Sequence, residues 1–143
     1  MPTRHEAREL AIQLLYQFDA RGEGDAVDVA ESLAESGKPE PTRALALELA
    51  RGAWGVHEEA DALVRELAPE WPTHRQPVVD RNILRLGYYE LASGMTPRAV
   101  AINEAVELAK SFGSDRSPAF INGVLDQIAN RLESPQPRTN TDG

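Results

Sequence analysis

Cysteine is absent from this 143-residue chain, so neither disulfides nor thiolate chemistry is available, as fits a reducing compartment. No run approaches the roughly 20 apolar residues needed to span a bilayer, so no membrane association is expected. The opening MPTRHEAREL lacks the apolar stretch of a secretory signal, and a cytoplasmic protein is the expectation. Catalytic groupings are missing too. There is no Gly-rich phosphate loop before a helix and no nucleophile elbow. His57-Glu58-Glu59-Ala60-Asp61 begins like a zinc-protease helix, but an aspartate stands where the second histidine belongs. The three histidines lie far apart. Neither an enzyme nor a metal or cofactor site is expected, and Glu58, Glu59 and Asp61 read as a solvated helix face.

Hydrophobic residues make up 41% of the chain and charged residues 27%, the balance of an ordinary globule. One domain over residues 1–133 is expected, followed by a polar, Pro-rich tail (134–143) read as disordered. The net charge of −8 is unevenly placed. Residues 22–70 hold twelve acidic and four basic side chains, whereas acids and bases balance on either side. A polyanion can therefore still approach the rest of the chain.

The apolar spacing is helical nearly throughout and predicts an all-α fold of about seven helices around one core. Thr3-Arg4-His5-Glu6 reads as a capping box, followed by Ala7, Leu10, Ala11, Leu14, Leu15 and Phe18 at helical spacing, with Gly22 and Gly24 ending the helix. A weaker helix is expected over 26–36. A long amphipathic segment runs from about 42 to Leu67, and a short turn or helix over 71–76. Residues 78–91 read as a heavily buried central helix closed by Gly94. Thr96-Pro97 opens the next helix, and Ser117-Pro118 opens the last, with Ser117 expected to cap its first turn.

Two basic groups stand out. Arg4, His5 and Arg8 share one flank of the first helix, either by chance or as a stripe aimed at phosphates. His74, Arg75, Arg81 and Arg85 form the second, with Asp80 among them, as a surface ion-pair network or a docking face for a protein. In the last helix, Phe120 lies about 95° from the centre of the apolar stripe and Asn122 about 105° the other way. The ring either packs under a neighbouring loop or is free for base stacking, and Asn122 either caps a helix end or reads a base edge. Periodicity does not choose between these.

Four segments together carry a family likeness: ARELAIQLLY (7–16), DRNILRLGYYEL (80–91), AVAINEAVELAKSFG (99–113) and FINGVLD (120–126). In this order and spacing they resemble the NusB family of transcription antitermination factors. The likeness covers nearly all the chain; residues 22–70 share only helical character, and the tail lies outside it. The related domain fused to ribosomal RNA methyltransferases fits less well, because no residues remain for a methyltransferase. The resemblance implies an all-helical fold of two small subdomains, without catalytic activity or cofactor. It implies binding to the boxA element of ribosomal RNA leader transcripts with the small-subunit ribosomal protein NusE, and read-through of terminators by RNA polymerase. By position, the family's basic start falls on Arg4, His5 and Arg8, with Glu6 where an arginine can stand. Its RNA-facing aromatic falls on Phe120, with Asn122 in the same motif and Arg116 and Ser117 just upstream. The NusE face falls on Asp80, Arg81, Arg85 and Tyr88. The competing expectation is a protein-only adaptor that pairs with itself through the Arg81/Arg85 face.

Overall fold

The computed structural model describes residues 4–22, 26–71 and 76–133. Thr3 of the expected capping box, Gly24, most of the 71–76 turn with His74 and Arg75, and the tail fall outside these residues. Among the described residues there are seven helices and no strand. They are α1 (Arg4–Arg21), α2 (Ala26–Glu35), α3 (Glu40–Gly55), α4 (His57–Leu67), α5 (Val78–Ser93), α6 (Arg98–Phe112) and α7 (Ser117–Glu133).

Proline starts three of them. Pro39, Pro77 and Pro97 stand immediately before α3, α5 and α6 with φ of −59°, −55° and −57°. A ring-fixed φ in that range prepays the turn into a helix. Each proline carbonyl then accepts the first helical amide, from Arg43, Arg81 and Ala101. Gly94 ends α5 at φ 73°, a left-handed geometry that costs glycine little.

The amphipathic run from 42 to 67 is two helices, not one. At Val56 the backbone turns to φ −114° and ψ 14°, and its amide bonds back to Ala53. The His57 ring then stacks on Trp54 at 3.9 Å and 13°. Apolar spacing continues in register across this break, so periodicity alone does not reveal it.

α5 is the hub. It packs against α1, α3, α4, α6 and α7. Ile83, Leu84, Leu86 and Gly87 are buried on it, together with four polar residues, Asp80, Asn82, Arg85 and Glu90. One continuous apolar core joins α1 (Leu14, Leu15, Phe18), α3 (Leu49), α5, α6 (Leu108) and α7 (Ile121, Leu125, Ile128).

Candidate nucleic-acid interface

The expected basic stripe on α1 divides on burial. Arg4 is exposed, His5 half-buried and Arg8 only 2% exposed. Arg8 lies on the flank that meets α5 and α6. It donates from Nε and Nη2 to the two carboxylate oxygens of Glu90 at 2.9 and 2.7 Å. Its Nη1 lies 3.5 Å from Glu104. Thr96 Oγ1 completes the cluster with a 2.6 Å bond to Glu90. Burial alone would weaken the Arg8 charge, but Glu90 and then Glu104 outweigh it. A guanidinium held this way does not reach a phosphate. Arg8 fixes the start of α1 against α5 and α6, and the reading of it as a surface contact is corrected.

His5 stands above Arg8, bonded through Nδ1 to Glu104 at 3.0 Å and paired through Nε2 with Glu9 at 3.3 Å. The Glu104 hydrogen bond raises its pKa above the usual histidine value; burial pulls the other way, and the Glu9 charge adds to the rise.

On α7, Ser117 is buried and does not cap its own helix. Its hydroxyl accepts from the Ser114 amide at 2.9 Å and donates toward both oxygens of Asp80, at 2.8 and 3.0 Å. Burial pushes the Asp80 carboxyl above the normal range, and the Ser117 bond partly offsets this. Ser117 and Asp80 thus lock α7 to the start of α5, so the expectation that they contact RNA and a partner protein is corrected. Arg116, one residue earlier, is exposed. The half-buried Phe120 ring lies 4.6 Å from the Trp71 ring at 38°. Trp71 is set by its amide bond to Ala68 and by the Gln76 side chain, which donates to its carbonyl.

Asn122 is exposed on the other flank of α7, in a groove of about 500 Å³ against α6 that it lines with Asn103, Ile102 and Val106. Because Glu104 holds His5 and Arg8 while its neighbour Asn103 faces Asn122, α6 is the bridge between the first helix and the last. Arg8 and Ser117 attach ten residues apart along α5, at Glu90 and Asp80, about 15 Å at 1.5 Å per residue.

The expected protein-docking face is likewise reduced. Arg85 is 4% exposed and donates in parallel to both oxygens of Asp61, at 3.0 and 2.6 Å. It also donates to Asn82 and lies 5.6 Å over the Trp54 ring. Asp61 is therefore an internal counter-charge and not a solvated face. Arg81 is half-buried and bonded to Asp19 at 2.6 Å. Burial first, and the Glu59 charge second, push the half-buried Tyr88 hydroxyl up. Sequence reasoning passed over three surface residues: Trp71, Asn103 and Tyr16. Tyr16 is 57% exposed and sits with Asp19, Val78 and Arg81 around a shallow depression of about 120 Å³. Tyr16 falls outside the α1 apolar stripe and closes the family-like segment 7–16.

No cluster of histidine and carboxylate suited to a metal occurs among the described residues, nor does a helix long and apolar enough to cross a membrane.

The NusB family model matches residues 5–130. This chain belongs to the NusB family. A NusB transcription antitermination protein from Streptomyces coelicolor is 42% identical over 133 residues, 90% of this chain and 93% of the relative. The structure of T. maritima NusB superposes with a TM-score of 0.78 at 33% identity, covering 91% of this chain and 93% of that one. A chain from a crystal structure of antitermination factors NusB and NusE in complex with dsRNA gives 0.76 at 29% identity, covering 89% and 96%. The seven-helix fold is thus the NusB fold over nearly its full length.

Proposed function

We propose that this chain is an RNA-binding transcription antitermination factor of the cytoplasm. It binds the boxA element of ribosomal RNA leader transcripts together with NusE and promotes read-through by RNA polymerase, without catalysing a reaction. The domain that does so spans residues 1–133. The observation that carries this reading is the ring pair Phe120 and Trp71, partly open to solvent beside the exposed Arg116 at the start of α7. Rings, a cation and a nearby amide suit single-stranded RNA, in which unstacked bases lie on aromatic faces and phosphates meet arginine.

In this site Phe120 stacks a base, Asn122 reads a base edge, and Arg4, His5 and Arg116 meet phosphates. Arg8 and Ser117 act behind them by fixing α1 and α7. NusE meets Arg81 and the exposed Tyr16 around their shared depression, and Tyr88 two turns further along α5, with Asp80 and Arg85 stiffening that helix. A stacked base is worth roughly 1–3 kcal/mol, so Phe120→Ala lowers boxA affinity at least several-fold while the far-ultraviolet circular dichroism stays nearly unchanged. Equal affinity in a gel shift, with and without NusE, would show that the ring only packs.

A second reading is a protein-only adaptor that pairs with itself. Of its expected Arg81/Arg85 face, Arg85 is buried and Arg81 half-buried, and it draws instead on the exposed apolar side chains Val100, Phe112 and Leu132. Light scattering of the same samples tells the two apart. A stable dimer that leaves boxA-type RNA unbound supports the adaptor.

A further inference from the structure

Gly123 stands in the second turn of α7, where glycine weakens a helix relative to alanine. Other glycines inside helices have a packing reason. A Cβ at Gly87 would stand 2.8 Å from both methyls of Leu125, and one at Gly52 would collide with the Tyr89 ring. Gly55 is the last residue of α3, a usual place for glycine. At Gly123 a Cβ would meet nothing within 4 Å, and the backbone is not left-handed. Nothing in the fold itself calls for glycine there.

The flanking residues supply a reason. Phe120 turns toward Trp71 on one side of α7, and Asn122 lines the α6 groove on the other. A strand that stacks one base on Phe120 and offers another to Asn122 has to cross the outward surface of α7 between them. Gly123 is three residues on from Phe120, about one turn along the helix, and the exposed Arg116 lies just before the start of α7, about 10 Å back from Gly123 along its axis. We infer that Gly123 is an RNA-contact position, kept without a side chain so that the ribose-phosphate strand crosses α7 against bare helix backbone. The inference rests on the RNA-binding reading above and adds the route of the strand across the site.

The test compares the parent chain, Gly123→Ala, Gly123→Leu and Phe120→Ala. Each is mixed with NusE and a fluorescent single-stranded RNA carrying a boxA element, with a scrambled RNA as control, and each is melted alone. A side chain facing open space on a helix is expected to raise the melting midpoint of Gly123→Ala by a few degrees. The same methyl is expected to weaken RNA binding by about fivefold or more, and Gly123→Leu by more again. Stability and affinity moving in opposite directions is a result that a purely structural glycine does not give. Parental affinity in Gly123→Ala, with Phe120→Ala impaired, overturns the strand route and leaves the RNA-binding reading standing. A lower melting midpoint for Gly123→Ala overturns the premise that the position is open. If the parent binds boxA no better than scrambled RNA, the RNA-binding reading fails and the route fails with it.

Discussion

A guanidinium keeps its charge under all ordinary conditions, so a buried one such as Arg8 has to be matched by acids nearby. Glu90 and Glu104 do this, and Glu104 is shared with His5. That sharing gives His5 a measurable signature. The Glu104 bond raises its folded pKa above the ordinary value of about 6.5. Its contribution to stability is therefore complete below about pH 6.5 and lost as pH climbs through the raised folded value. Titration of the His5 ring by proton NMR is expected to show a midpoint above 6.5, falling back toward it in Glu104→Gln. A midpoint unmoved by that substitution would remove Glu104 as the cause. Little of this was readable in the sequence. The residue types were visible at Arg4, His5 and Arg8, but the partner that decides Arg8's role is 82 positions away. Helical phase places a side chain on a flank without saying which helix covers that flank. For the same reason, the sequence alone gives Asp80 and Ser117 surface roles, although both are buried and bonded to each other.

Among the elements, α5 shows best what periodicity gives and withholds. A wide apolar face predicts a central helix, and α5 is central. Its polar residues are buried as well, because the surrounding helices bring Asp61, Asp19 and Ser117 to meet them. The positions of the helices were legible where Pro and Gly punctuate the chain, at Pro77, Gly94, Pro97 and Ser117-Pro118. The α3–α4 break was not, since Val56 and Ala60 continue the spacing of Leu49 and Ala53. Close approach of α5 to α7 depends on Gly87. An added methyl at 2.8 Å from two Leu125 carbons has no free volume to enter, because Leu125 is fully buried. Overpacking of this kind typically costs about 1–3 kcal/mol. Gly87→Ala is thus expected to lower the melting midpoint by several degrees, despite alanine's better helix propensity. A midpoint equal to the parent's would mean that α7 slides away at little cost.

For the molecule as a whole, the cations at the proposed RNA face not already held by two carboxylates are few, Arg4 and Arg116. His5 joins them when protonated, whereas Arg98, which lines the groove beside Asn122, is paired with Asp126 and Glu133. Release of counterions from single strands gives a slope of about −0.7 per phosphate neutralised, so about three contacts predict a slope near −2 in a plot of log affinity against log salt. Fluorescence anisotropy across a salt series measures it. A slope near −6 would require a basic surface well beyond these residues. The acidic excess belongs to residues 22–70, the stretch that forms α2, α3 and α4, whereas the charges of α5 to α7 nearly cancel. The molecule therefore carries an electrical heading. A transcript drifting in toward α2–α4 is repelled and the protein feels a torque, so it tends to turn its less acidic helices toward the RNA before any atom touches. Orientation is settled at long range by what the acidic helices refuse, leaving a handful of short-range contacts to decide which RNA stays.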